Sequence, residues 1–118
     1  MANALFIGWG PVVHGREQQA LQVFNEALAY YGELQQQGEI EAFEPVALEP
    51  HGGDLVGFLL LRGEPERLSR VRASEEFQRF IHRGALVVEN FGVVSAFVGD
   101  QLTWQFGLFQ QAASDLAG

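Results

Sequence analysis

Few side chains in this sequence are suited to acid–base or nucleophilic chemistry. The chain has no cysteine, which excludes thiolate chemistry, and the candidates we consider are three histidines, His14, His51 and His82, and the phenol of Tyr31. Imidazole titrates near neutral pH, and a tyrosine hydroxyl donates a hydrogen bond or a proton. We therefore assign His82 as the candidate base and Tyr31 as the candidate acid of a catalytic site.

The three histidines are also the residues most suited to bind a metal ion. In the predicted topology they lie at one end of the sheet, with His14 after the first strand, His51 after the second and His82 near the end of a helix. The two strand ends are roughly 10 Å apart, whereas a metal holds imidazole nitrogens at about 2.1 Å. Solvent-exposed histidines explain the pattern, so we predict no bound metal and no cofactor. A converging metal or acid–base site is the alternative.

Aromatic residues that carry a polar atom mark a candidate ligand site. Trp9 and Tyr31 each have a hydrogen-bond donor that needs a partner when buried, and a bound molecule is one such partner. We predict that Trp9, Tyr31, Phe58 and His82 line a pocket for a small molecule between the sheet and the long first helix. The alternative is that these aromatic side chains only fill the core.

The elements that must position these residues follow from apolar periodicity. Ala4 to Val13 is apolar on both sides and rich in β-forming residues, which predicts a buried strand. Arg16 to Gln37 is predicted to be an amphipathic helix, and Gly38 follows where a left-handed residue ends a helix. The apolar stripe of this helix consists of Ala20, Phe24, Ala27, Tyr31 and Leu34.

Three more strands complete the predicted sheet. Ile40 to Leu48 and Asp54 to Arg62 read as a hairpin joined by a proline- and glycine-containing loop. Pro45 places the first of them at a sheet edge, because proline cannot donate to a central ladder. Residues 55–61 are apolar on both sides and predict a central strand, and Glu89 to Val98 is the fourth strand.

Helices account for the rest of the chain. A short helix starts near Pro65, and Ser74 is the predicted N-cap of a second one. We predict a terminal helix from Leu102 to Ala113 with Asp100 as its N-cap. Alternating apolar residues over 104–108 also fit a strand.

The order strand, helix, strand, strand, helices, strand is that of the split βαβ unit. It predicts that residues 1–118 form one ferredoxin-like α+β domain, with a four-stranded antiparallel sheet and helices on one face. Three of the four strands are apolar on both sides, although a sheet with one wet face should alternate. We therefore expect the second face to be covered by the sheet of an identical chain, in a homodimer.

These features resemble the dimeric α+β barrel superfamily. The resemblance covers Ala4 to about Gly99 and includes the segment Ser74-Glu75-Glu76-Phe77-Gln78-Arg79-Phe80 before the last strand. Members include antibiotic-biosynthesis-type monooxygenases, haem-degrading monooxygenases, YciI-like proteins and the EthD-like proteins of ethyl tert-butyl ether degradation. The resemblance implies that two sheets pack face to face into an α+β barrel.

Three functions are compatible with this resemblance. The first is a homodimeric barrel protein of unassigned role that binds a small, largely apolar molecule. The second is a cofactor-independent monooxygenase or isomerase that acts on an aromatic or polyketide-like substrate, with His82 and Tyr31 as its acid–base pair. The third is a structural or regulatory dimer without catalysis. Haem degradation is disfavoured, because the haem-degrading members share an asparagine on the first strand, where this chain has Gly8, Trp9 and Gly10.

Composition limits the partners. Seven basic and fifteen acidic residues give the 118-residue chain a net charge of −8, which argues against nucleic acid. The amino terminus lacks the basic and apolar regions of a signal peptide. The apolar runs are only of strand length, which argues against a membrane span. A cytoplasmic location is therefore expected.

Overall fold

Over residues 1–117, which the computed structural model of the chain describes, four strands form one antiparallel sheet flanked by four helices. The elements in chain order are β1 (Ala4–Trp9), α1 (Glu17–Gln36), β2 (Ala42–Ala47), β3 (Gly57–Arg62), α2 (Pro65–Ala73), α3 (Glu75–Val87), β4 (Gly92–Ala96) and α4 (Asp100–Ala117). The sheet order is β2-β3-β1-β4. The predicted ferredoxin-like fold is confirmed.

The strand positions agree with the residue types along each strand. β2, which contains Pro45, is an edge strand, and its neighbour β3 is central, as predicted. β1 is also central, because it pairs with β3 on one side and β4 on the other. The missing proline N–H therefore interrupts no central ladder.

The register divides the sheet into two different faces. On the helix face, Leu5 pairs with Leu61 and Ile7 pairs with Leu59, and all four side chains are buried in the core. The opposite face, called the open face below, presents Phe6, Val46, Phe58, Leu60 and Val94. Phe6 and Phe58 stack there with ring centroids 5.0 Å apart. Both faces are apolar, but helices cover only one of them.

The core lies between the helix face and helices α1 to α3. Phe77 of α3 and Leu61 of β3 are the largest fully buried side chains. Tyr30 and Tyr31 of α1 are buried against them, and Tyr31 packs against Phe77 with ring centroids 6.5 Å apart. Burial of these large apolar surfaces is the main force that holds α1 and α3 on the sheet.

Helix α1 was predicted over Arg16 to Gln37 and spans Glu17–Gln36, and it ends at a left-handed glycine as predicted. Gly38 adopts a φ of +76°, which a residue with a side chain avoids, and its neighbour Glu39 donates to the Leu34 carbonyl at 2.9 Å. At the start of α3, the Ser74 hydroxyl accepts from the Phe77 backbone N–H at 3.3 Å, which confirms the predicted N-cap.

The first and last strands are shorter than predicted. β1 ends at Trp9, not Val13, and β4 covers only Gly92–Ala96 of the predicted Glu89–Val98. Beyond Trp9 the chain leaves the sheet and pairs instead with the segment that follows α3, where the Gly10 N–H donates to the Glu89 carbonyl at 2.7 Å. A Cβ at Gly10 would lie 2.7 Å from that same oxygen, so the close approach requires glycine.

The terminal helix is confirmed as a helix, but α4 is longer than predicted. It spans Asp100–Ala117, so Asp100 lies in its first turn and is not its N-cap. No residue from Asp100 to Ala117 is buried. None of the helices within residues 1–117 is both long enough and apolar enough to cross a membrane.

Candidate functional site

A cavity of about 480 Å³ lies between the sheet and helices α1 and α3. Side chains from all four strands form its floor: Ile7, Trp9, Ala47, Leu59 and Val93. Its walls come from the first three turns of α1 and from the inner side of α3. Val12 and Leu21 line it and are both exposed, so the cavity opens to the surface beside the start of α1.

Large side chains fill the space between α1 and α3 around Tyr30 but not towards the start of α1. The Tyr30 and Phe80 rings stack with centroids 5.1 Å apart, and the Arg83 guanidinium pairs with the Glu26 carboxylate. Hydrogen bonds from Gln22 and Arg83 lower the pKa of Glu26. Towards the start of α1, the inward residue Ala20 is too small to fill the space between the helices.

Glycines shape two of the cavity's aromatic surfaces. The Trp9 indole lies on Gly57 of β3, where an added Cβ would be 2.7 Å from the ring. Trp9 also meets Phe24 edge to face, with ring centroids 5.7 Å apart. On the other side the Phe91 ring packs on Gly84 of α3, where a Cβ would be 2.9 Å from it. Substitution of either glycine would therefore displace a cavity wall.

Only three of the twenty residues that line the cavity carry polar side-chain atoms: Trp9, Glu17 and Tyr31. Tyr31 is 3% exposed, and burial raises the pKa of its phenol, so the hydroxyl stays protonated and can donate a hydrogen bond. Glu17 is exposed in the first turn of α1, where its carboxylate accepts from the Gly15 N–H at 3.1 Å. The cavity is thus an apolar volume with few polar groups.

The structure brings two of the four predicted ligand-binding residues together. Trp9 and Tyr31 both line the cavity. Phe58 lies on the open face, against Phe6, because its cross-strand partner is Gly8 and not Trp9. His82 is exposed on α3 and does not line the cavity, although Ile81 before it does. The structure therefore does not bring the candidate base to the cavity that the candidate acid lines.

The other two histidines are exposed and lie outside the cavity. The His51 ring is occupied within its own loop, where Nε2 lies 2.9 Å from the Leu55 carbonyl and Nδ1 is 3.3 Å from the Gly53 N–H. Within residues 1–117 no group of three or more histidine, aspartate or glutamate residues is placed to hold a metal ion.

Sequence reasoning missed several residues of the cavity. Phe24 and Phe91 form part of its wall, but the sequence shows them only as members of apolar segments that also predict ordinary core. The sequence signal that could have indicated the cavity is a small residue at an inward-facing position of a helix, opposite large aromatic residues. Ala20 lies on the inward stripe of α1 and Gly84 on α3, where larger side chains would have closed the gap.

A groove of about 370 Å³ adjoins the cavity on the solvent side of α1 and α3. Arg16 and Arg83 both line it, yet each guanidinium already has a partner. Arg16 donates to the Leu86 carbonyl at 2.8 Å, and Arg83 is paired with Glu26. The groove therefore offers little uncompensated positive charge.

No protein-family model matches the sequence, and no curated protein is significantly similar to it. Several solved structures share its fold at low sequence identity. A dimeric protein of unknown function with a ferredoxin-like fold from Bacteroides fragilis is 13% identical with a TM-score of 0.56, over 80% of this chain and 95% of its own.

Two further solved structures carry functional names. A protein assigned to the antibiotic biosynthesis monooxygenases from Bacteroides thetaiotaomicron is 13% identical, with a TM-score of 0.58 over 82% of this chain and 90% of its own. SnoaB, a cofactor-independent oxygenase from Streptomyces nogalater, is 14% identical, with a TM-score of 0.50 over 85% of this chain and 98% of its own. The resemblance predicted from the sequence is confirmed at the level of the fold.

Proposed function

We propose that this chain forms a homodimer and binds a small, largely apolar molecule in the cavity between the sheet, α1 and α3. The observation that carries the proposal is the cavity itself. Its volume of about 480 Å³ lies within the usual range for small-molecule sites. An apolar wall with a few polar groups is also the usual composition of such sites.

The chemistry of the wall indicates the kind of ligand. Water makes few hydrogen bonds in an apolar cavity, so an apolar molecule that replaces it gains free energy roughly in proportion to the area it buries. Phe24, Trp9 and Phe91 offer aromatic surfaces to a flat ring. The protonated Tyr31 hydroxyl can donate to a carbonyl or phenolic oxygen on that ring. An aromatic or polyketide-like molecule with one such oxygen fits these groups.

The binding test uses N-phenyl-1-naphthylamine, a neutral apolar fluorophore whose emission rises in an apolar site. We expect the wild-type chain to bind it and Ala20→Phe, which fills the cavity, to weaken binding at least about tenfold. Ala29→Phe is the matched control, because Ala29 is exposed on the other side of the same helix. Equal affinity of Ala20→Phe and wild type would contradict binding in this cavity.

The homodimer is supported by the open face, which is apolar and not covered by any helix in residues 1–117. The similar protein from Bacteroides fragilis is dimeric. Light scattering should give about 26 kDa, twice the chain mass of 13.0 kDa. A stable mass of one chain at micromolar concentration would contradict it.

A cofactor-independent oxygenase or isomerase is the second candidate, favoured by the fold shared with SnoaB. In this candidate Tyr31 acts as the acid and His82 as the base. The assay is oxygen consumption with an oxidisable polycyclic phenol, comparing wild type, Tyr31→Phe and His82→Gln. Loss of turnover in both variants supports the pair, whereas loss in Tyr31→Phe alone restricts the role to Tyr31. If the chain binds neither the fluorophore nor the phenol, the remaining function is that of a structural or regulatory dimer without catalysis.

Two expectations concern the protein's surroundings. We propose a cytoplasmic location and no nucleic-acid partner, and the acidic composition supports the second.

A further inference from the structure

Helix α4 exposes an apolar surface that the domain does not cover. Its residues Leu102, Phe106, Phe109, Ala113 and Leu116 recur at spacings of four, three, four and three, the same spacing as the buried stripe of α1. Phe106 is 60% exposed and Phe109 is 71% exposed. Trp104, on another side of α4, is 55% exposed. These three aromatic side chains expose roughly 350 Å² in total, and all of it lies on one helix that buries no residue.

The helix also stands away from the rest of the chain. The radius of gyration is 16.4 Å, whereas a compact chain of this length has about 13.5 Å. An isolated helix of this size is only marginally stable in water, since most helical stability in proteins comes from packing an apolar face. A helix of 18 residues without a buried one therefore implies a surface that covers it.

The direction in which α4 leaves the domain is fixed. The Asn3 side chain holds Val98 with two hydrogen bonds, from Asn3 Nδ2 to the Val98 carbonyl and from the Val98 N–H to Asn3 Oδ1, both at 2.9 Å. The amino terminus donates to Gln101 Oε1 at 2.7 Å. Three residues separate α4 from the edge strand β4, so the helix starts close to the β4 edge of the sheet.

The open face is small for the interface of a stable dimer. Four strands about 4.8 Å apart and about six residues long have a flat footprint of roughly 400 Å², and a standard interface buries about 800 Å² of accessible surface per partner. α4, about 27 Å long, adds a second apolar surface to it. The open face and α4 together offer a larger interface than the open face alone.

We infer that α4 is an arm that packs on a second copy of this chain, so that the open face and α4 form one continuous interface. This rests on the proposed homodimer. In a two-fold dimer each chain contributes one open face and one arm, so both apolar surfaces of both chains are covered.

The chemistry of α4 argues for a second copy over a membrane surface. Helices that lie on membranes carry lysine and arginine on their polar face. α4 has neither, and the chain carries a net charge of −8. The open face of a second copy is apolar, and α4 follows three residues after β4, the edge strand that carries Val94 of the open face, so this partner fits by position as well as by chemistry.

The first test measures dimer dissociation of the full chain by analytical ultracentrifugation. Phe106→Asp/Phe109→Asp places two charges on the apolar stripe, and Gln111→Asp/Ser114→Asp places two charges at the same spacing on the side of α4 that faces away from the stripe. We expect the first pair to weaken the dimer at least about 100-fold and the second pair to leave it unchanged. Circular dichroism should show an intact domain in both, because no residue of α4 is buried.

The outcomes separate the two proposals. A wild-type dimer that Phe106→Asp/Phe109→Asp does not weaken would overturn the arm and leave the homodimer standing. A wild-type monomer would overturn the homodimer and the arm with it.

A second test distinguishes packing on the partner from packing on the same chain. Ala113→Cys introduces the single thiol of the chain, which takes a benzophenone maleimide. Isotopically light and heavy chains are refolded together and irradiated, and the cross-linked peptides are analysed by mass. We expect links between α4 of one chain and the domain of the other, seen as mixed light–heavy pairs. Exclusively unmixed pairs would overturn the arm.

Discussion

The buried phenol of Tyr31 predicts a specific loss of stability at alkaline pH. Burial raises the pKa of Tyr31 above the value of about 10 that the unfolded chain has. Below pH 10 both states keep the proton, so the phenol makes no pH-dependent contribution. As the pH rises above 10, the unfolded state releases its proton first, and the folded state becomes less stable relative to it.

The magnitude follows from linkage. Each pH unit between the unfolded and folded pKa values costs about 1.4 kcal/mol. At about pH 11.5 the Tyr31 phenol should therefore reduce the free energy of unfolding by about 2 kcal/mol. Burial also raises the pKa of Tyr30, which adds a contribution in the same direction.

The composition of the chain leaves few other groups that could change stability in the alkaline range. All seven basic residues are arginines, and the chain has no lysine and no cysteine. By composition, the two tyrosines are the only side chains of a type whose reference pKa lies between about 9 and 12. Urea unfolding followed by circular dichroism, at about pH 8 and about pH 11.5, measures the loss directly.

Tyr31→Phe is the decisive variant, with Tyr30→Phe as its control. We expect the alkaline loss to shrink by about 2 kcal/mol in Tyr31→Phe and to persist in Tyr30→Phe. Tyrosinate absorbance of the folded Tyr30→Phe variant should show no ionisation until the chain unfolds. An alkaline loss of equal size in wild type and Tyr31→Phe would refute the argument that this phenol is held neutral by burial.

Two substitutions test the packing and the helix cap. Phe77→Ala empties a site that is 1% exposed and should reduce the free energy of unfolding by about 3–5 kcal/mol; a loss under 1 kcal/mol would contradict its place in the core. Ser74→Ala removes the acceptor for the Phe77 N–H and should cost about 1 kcal/mol in the same urea measurement, with no loss contradicting the cap.

The sheet, its edge and the first helix were predictable because each depends on a strong local signal. Pro45 excludes a central position, and Gly38 alone permits the left-handed turn that ends α1. The end of β1 was predicted too late, because the apolar residues continue to Val13. Pro11, which cannot donate to a ladder, is the local signal that a central strand ends before it. Beyond Trp9 the chain pairs instead with Val87 and Glu89.

The candidate site was half predictable, for a reason that lies in the strands. A strand that is apolar on both sides gives no information about which side faces the helices. Phe58 was therefore assigned to the wrong face. Trp9 lies on the helix face because it is two residues from Ile7, and alternate residues of a strand share a face. The placement of His82 depends on the rotation of α3 about its axis, and a difference of one residue from Ile81 turns a side chain by about 100°.

The two tryptophans of the chain lie at two separate surfaces. Trp9 is half-buried against Phe24 in the cavity, and Trp104 is on the exposed side of α4. Their emission spectra therefore act as two independent optical probes within one unlabelled protein. A Trp104→Phe variant would leave Trp9 as the single indole, whose emission responds to a molecule that enters the cavity. Trp104 lies nearly opposite the apolar stripe of α4 and stays in water, so in a Trp9→Phe variant its emission serves as the reference. The protein thus carries its own spectroscopic label for ligand occupancy.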